Sequence, residues 1–297
     1  MEGVLFSAVE TRLREAIMVA LAEQVAERGF VTRAELTALR VGTETRRIID
    51  RSRGIWNPRD MEATLSVVSS PDSGYSDSDL GDLFRYDYRA GSSDGDNKKL
   101  RRAYELGVPI ILLRKIRDGV YVPVFPTYVV GDDFEARQFV LAVDEGLRFL
   151  SDPLNPSPVE RAYAERVTRQ RLHQAEFRGR VLRAYETSCA VCNLEYGRLL
   201  DAAHITPDSD VRGLPIVNNG ISLCKIHHSA FDSNLIGISP DYAVHVAHDV
   251  LEVVDGPMLK HGIQEMDGRR LRLPSHRSEY PDRERLAQRF DQFIAAS

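Results

Sequence analysis

Cysteine is scarce in this chain: three in 297 residues, at positions 189, 192 and 224. An odd, clustered set does not make the disulfide framework of a small secreted domain, and it predicts a reducing, cytoplasmic setting. Long apolar runs are missing, which excludes a helical membrane span. The opening M-E-G-V-L-F-S-A-V-E-T-R-L-R meets charge too soon for the apolar core of a secretory signal. An excess of positive charge is missing too, since the formal net charge is −5. That counts against a polyanionic partner for the chain as a whole. It leaves local basic strips open, because a phosphate responds to the nearest charges rather than to their sum. There is one tryptophan, no internal repeat and no low-complexity tract. The 43% hydrophobic and 28% charged content is ordinary for a folded chain, and the length has room for two domains.

What is there begins with a helical stripe over residues 7–28, with Val9, Leu13, Ile17, Leu21 and Val25 on one side and Arg12 and Arg14 off it. Together with residues to 52 it predicts a helical N-terminal part. From residue 54 the texture changes. Strands are predicted over 65–68, 84–88, 108–113, 120–125 and 127–131, and a helix over 98–105 has Leu100 and Tyr104 as its buried side. Short strands at hairpin spacing with one helix among them suggest a curved antiparallel sheet or small barrel over residues 1–150. Residues 151–158, with three prolines, read as a linker. A long helix follows over 159–185, rich in arginine, which predicts a basic face. Strands at 244–247 and 250–254 and a terminal helix at 283–295 complete a second domain, 159–297.

The core of that domain is residues 187–237. C-x-x-C at 189–192 and C-x-x-H at 224–227 form two half-sites, which is how tetrahedral zinc collects four ligands from two short turns. Cys189, Cys192, Cys224 and His227 would fill such a site and leave no open position. That zinc is therefore expected to be structural. Between the halves lies D-A-A-H-I-T-P, and after them H-H-S-A-F-D. His204 is placed on a strand entering a turn, Asn219 before a second strand, and His228 at the start of a short helix. Asp232 lies one helical turn beyond His228, on the same face.

Strand, strand and helix bearing His, Asn and His resemble the HNH, or ββα-metal, nucleases. The strings A-H-I-x-P, N-G-x-x-L-C and H-H-x-A-F-D carry the resemblance. It implies that His204 is the general base, that Asn219 orients its loop or approaches the metal, and that His228, with Asp232, holds a divalent cation such as Mg2+ or Mn2+. An unshifted imidazole, with a pKa of about 6.5, suits the base role at neutral pH. The position before the base, often a metal-binding Asp or His in that family, is Ala203 here. Asp201, on the same strand face, is the expected substitute.

A second resemblance covers the front half. S-P-D-S-G-Y-S-D-S-D-L-G-D-L-F-R-Y, then D-N-K-K-L, G-V-P-I-I-L-L-R and Y-V-P-V-F-P-T-Y-V-V, is similar to an SRA domain, a PUA-like curved barrel that flips 5-methylcytosine out of duplex DNA. The matching pocket positions are Tyr75, Asp77 and Tyr86. Aromatic faces would stack on a flipped base, and a carboxylate would accept its N4 amino group. Together the two halves resemble the modification-dependent SRA–HNH restriction endonucleases. The expectation is an α+β chain, an SRA-like barrel joined to a zinc-stapled ββα-metal domain. It would act as a homodimer on double-stranded DNA carrying 5-methylcytosine or 5-hydroxymethylcytosine. An HNH endonuclease acting on unmodified or otherwise modified DNA, a non-catalytic zinc-stabilised DNA-binding protein and an RNA-directed barrel remain open alternatives.

Overall fold

The computed structural model describes residues 2–70, 83–89, 95–210 and 212–296, with side chains from residue 8 onward. Tyr75 and Asp77 lie outside the described residues. The chain forms two compact units, one of Met1–Val25 with Phe30–Glu176 and one of Ala26–Gly29 with Phe177–Ser297. The parting falls inside the helix Pro158–Ala184, which starts as the proline-rich stretch ends. No described helix is long and apolar enough to cross a membrane.

In the first unit the helix Glu2–Arg28 packs Leu13, Ile17, Leu21 and Val25 of the apolar stripe against the core, with two polar residues added to the buried face. Ile17 and Leu21 are fully buried, but Val9 is 60% exposed, while Glu10 and Arg14 lie inside. The reason is polar. The Arg14 guanidinium donates to Glu10 and to the carbonyls of Ala63, Thr64 and Pro109, so its burial leaves no charge unpaired. A seven-stranded sheet follows among the described residues. The long strand Val120–Asp133 pairs with Ile110–Arg117 along its first half and with Gln138–Ala142 along its second, so the sheet curls. It stands where two separate strands were expected. One pair is parallel rather than antiparallel, Ser66–Ser69 with Ile110–Arg117. The intervening chain, with the helix Asp96–Leu106, provides the crossover that a parallel pair needs. On that helix Leu100 and Ala103 are buried, and Tyr104 is exposed.

Many of the basic residues have carboxylate partners. Arg101 meets Asp132, Arg102 meets Glu62 and Glu105, Arg114 meets Glu176, and Lys115 meets Asp118. Along the long helix Arg169, Arg171 and Arg183 also have carboxylate partners.

The second unit is built on the antiparallel strands Leu200–His204 and Gly220–Cys224, followed directly by the helix Lys225–Asp232. The hairpin Ile236–Ile238 with Val244–Val246 and the helix Arg283–Ala296 complete it. Gly237 lets that last helix come close, since a Cβ there would lie 2.3 Å from the Phe293 ring. Residues 248–252 are helical, not a strand, and of this run Val250 is the residue that is buried. Hydrogen bonds from Val250 and Leu251 to the Ala247 carbonyl close that turn.

Candidate active site and metal centre

Cys189 and Cys192 sit on a tight turn after the long helix. Cys224 ends a strand and caps the next helix, and His227 lies in that helix's first turn. This placement brings the four ligand atoms within 4.8 Å of one another. The His227 Nδ1 is 3.1 Å from Cys224 Sγ and 3.5 Å from Cys189 Sγ. Ligand atoms about 2.3 Å from a common tetrahedral zinc lie roughly 3.8 Å apart, so the set needs little adjustment to close on one ion. His227 Nε2 donates to the Gly262 carbonyl at 2.8 Å, which puts the ring proton on Nε2 and leaves Nδ1 as the free ligand atom. Hydrogen bonds from Cys189 and Cys192, with a further one involving His227, hold the Cys224 thiol far below its ordinary pKa despite burial. The same contacts push the Cys189 thiol up, and a metal, which binds thiolates, would displace the proton held there. The expected zinc ligands meet, and the donor set fits that ion.

His204 ends its strand opposite Gly220. Its ring stacks on Phe177, with centroids 3.9 Å apart and planes 20° from parallel. Its Nε2 is buried without a hydrogen-bond partner. Burial lowers its pKa below the ordinary imidazole value, with Asp208 opposing and His228 assisting. The imidazole is therefore neutral at pH 7.

Asn219 is wholly buried. Its Oδ1 accepts from Thr206 N at 2.8 Å, and its Nδ2 donates to the carbonyls of Thr206 and Leu214, each at 3.0 Å. Its own carbonyl accepts from Ile205 N. Asn219 thereby ties both ends of the loop that follows His204.

His228 lies between two carboxylates, with Nε2 3.3 Å from Asp232 and Nδ1 3.9 Å from Asp201. The nearby Asp201 carboxylate raises its pKa, and the Asp232 charge adds to this against burial. Burial alone would raise the pKa of Asp201, but the neighbouring His228 and Lys225 and the charge of Arg178 hold it well below the carboxylate range. Asp201 is therefore committed to three neighbours. A pocket of about 460 Å³ is lined by His204, Pro207, Asp208, His228, Asp232, Asn234, Arg289 and Gln292. Asp201 is not among these residues. Asp208 and Arg289 are, and neither carries a sequence signal beyond being charged; Asp208 follows the A-H-I-T-P string by one residue.

The third expected group is less complete. Tyr86 is fully buried. Its hydroxyl donates to the Gly54 carbonyl at 2.9 Å, and the Arg89 guanidinium lies 3.9 Å from its ring centre. One face of this ring thus meets a guanidinium.

Residues 189–239 match the family model of the HNH endonucleases. No curated protein matches the chain. Among solved structures, the chain is similar to the modification-dependent TagI restriction endonuclease at 17% identity and a TM-score of 0.33, covering 88% of this chain and 90% of that one. It is also similar to the SUVH5 SRA domain in complex with hemi-methylated CG DNA, at 22% identity and 0.28, over 37% of this chain and 81% of that one. A third similarity is to the phosphorothioation-dependent restriction endonuclease ScoMcrA, at 16% identity and 0.21, over 60% and 51%. Residues 189–239, which hold both the Cys3His cluster and the His204 strand, are thus the segment of this chain that is similar to the HNH endonucleases.

Proposed function

We propose that the chain is a DNA endonuclease in which His204 activates water for attack on a phosphodiester, and that its first unit selects DNA containing 5-methylcytosine or 5-hydroxymethylcytosine. The observation that carries the nuclease part is the pocket that gathers His204, His228 and Asp232 inside the segment matching HNH endonucleases. With Nε2 buried and without a hydrogen-bond partner, the base role falls to Nδ1. Nδ1 takes a proton from water as the water oxygen bonds to phosphorus and the bond from phosphorus to the leaving oxygen breaks. Phe177 holds the ring plane, and Asn219 holds the loop behind it. His228 and Asp232 are the residues that would hold a divalent cation, which when bound supplies charge neutralisation at the phosphate. Asp201 serves as a brace for His228 rather than as a ligand, since Lys225 and Arg178 already engage it. The zinc of the Cys3His cluster keeps the two strands and the helix in register.

For the first unit the proposal rests on the curled sheet and on the motif run that includes Tyr75, Asp77 and Tyr86. Tyr75 stacks on a flipped base, Asp77 accepts from its N4 amino group, and Tyr86 with Arg89 underlies the pocket. One such site cuts one strand, so a double-strand break requires two copies or two visits, and we expect a homodimer on DNA. His204→Ala tests the chemical step. Cleavage in magnesium or manganese should fall by about 10²- to 10⁴-fold while DNA binding is retained. Cleavage at the wild-type rate would remove His204 as the base.

A further inference from the structure

The C-terminal helix Arg283–Ala296 lies outside the two strands and helix of the HNH segment, yet one of its faces borders the candidate active site. Leu286 and Phe293 are its buried apolar anchors, with Phe290 half-buried between them. Beside this stripe, Arg285, Gln288, Arg289 and Gln292 recur at i, i+3, i+4 and i+7 and so share a face. Arg289 and Gln292 line the pocket that holds His204, His228 and Asp232. Arg285 and Gln288 line a second pocket of about 200 Å³ with Thr206, Arg212 and the carboxylates Asp282 and Glu284, so there too the arginines are what opposes the acidic lining. Both pockets border the loop that Asn219 ties down.

The two guanidiniums are held in place. Arg289 donates to the Phe231 carbonyl at 2.6 Å and to Asn234 Oδ1, and it lies over the Phe231 ring at 4.7 Å. Arg285 donates to Thr206 Oγ1 at 3.1 Å and to the Arg212 carbonyl at 2.7 Å. A guanidinium has five donors, and these protein partners take two from each. The helix anchors itself through Leu286 and Phe293, so its packing does not require arginine at either position. Asp208 and Asp232 make the first pocket repel a phosphate, and Arg289 is the fixed cation in its lining that opposes them.

We propose that this helix face is a phosphate track: Arg289 holds a non-bridging oxygen of the phosphate being cut, and Arg285 holds a neighbouring phosphate of the same strand. Four helical residues rise about 6 Å, or one to two nucleotides of a B-form strand at about 3.4 Å of axis each. Arg289 is then a catalytic residue, because its charge meets the negative charge that develops in the transition state. Arg285 is a positioning residue, which also pins the loop behind His204. The proposal rests on the nuclease reading.

The test uses the full chain loaded with zinc. Single-turnover cleavage of methylated and unmethylated plasmid is measured for wild type, Arg289→Gln, Arg289→Lys and Arg285→Gln, with the exposed Arg270→Gln as a control. Salt dependence of binding to a short labelled duplex is measured for the same variants combined with His204→Ala. Arg289→Gln should slow cleavage by about a hundredfold or more, as loss of a preorganised transition-state donor does. Each Gln variant should lower the slope of log affinity against log salt by about 0.9, one phosphate contact, and Arg270→Gln should leave it unchanged. Arg289→Lys should restore the slope but only part of the rate, because it keeps the charge and loses the fork. Wild-type slopes and rates in both Gln variants would overturn the proposal. Should Arg289→Gln lose zinc or melt early, the slope of Arg285→Gln and the rate of Arg289→Lys decide. If wild type cuts neither plasmid, the proposal falls together with the nuclease reading. If wild type cuts and the variants match it, only the phosphate track falls.

Discussion

Gly220 faces His204 across the two-stranded ladder, and a Cβ there would lie 2.4 Å from Val181 Cγ2 and 2.8 Å from Phe177 Cζ. The ring that stacks on His204 thus occupies the space a side chain at 220 would need. Its backbone is ordinary extended chain, so the close approach alone demands glycine. Gly220→Ala should push Phe177 off His204, cost about 1–3 kcal/mol of stability as overpacked cores do, and slow cleavage more than it weakens DNA binding. Thermal melting and single-turnover rates check this; a variant with wild-type melting and rate would show that Phe177 does not set the ring. At this scale the sequence was informative wherever chemistry needs fixed spacing. The zinc set, His204, Asn219 and His228 follow from x-x spacings and from short strings along the chain. Arg289 does not, because it reaches the pocket from a helix that starts more than fifty residues after His228. Nor does the brace on Asp201, which depends on Lys225 and Arg178 arriving from two different helices.

At the scale of elements, the helix Pro158–Ala184 begins with a reciprocal cap. Ser157 Oγ accepts from Glu160 N at 3.4 Å, and Glu160 accepts from Ser157 N at 3.0 Å. Ser151 adds two further donors to the same carboxylate. Hydrogen bonds from Ser157 first, then from Ser151, push the Glu160 pKa down to about 2. A carboxylate whose pKa is lowered by folding stabilises the fold above its unfolded value, about 4.3, and loses that contribution as pH falls toward 2. Glu160→Gln should therefore lower the melting temperature at pH 7, and the gap from wild type should close as pH drops through that window. A gap independent of pH would contradict the cap. Strand and helix positions were legible where periodicity and burial agree, as on the Gly220–Cys224 strand. They were not legible where a buried charge replaces an apolar residue. The first helix shows this, since no periodicity rule marks Arg14 as interior when its partners are carbonyls fifty and more residues away.

For the whole molecule, we expect the second unit to depend on a metal held by the Cys3His cluster. Cys189 and Cys192 join the end of the long helix to Cys224 and His227 on the strand and helix that also border the candidate active site. Structural zinc contributes folding free energy directly. Removing it with a chelator, or Cys189→Ser, should melt this unit, abolish cleavage and release zinc. Circular dichroism with metal analysis reads this, and a variant that stays folded and metal-loaded would show that the cluster is not the staple. The first unit was legible as a curled β structure because its turns and apolar strands are local. Its parallel pair and its single long strand were not, since both depend on partners distant in sequence. The central claim is that one unit selects modified DNA and the other cuts it. Its most direct test is digestion of matched plasmids, one carrying 5-methylcytosine and one without, in magnesium or manganese. Cutting of the methylated plasmid alone, lost with His204→Ala, is the predicted result; equal cutting of both, or of neither, would contradict it.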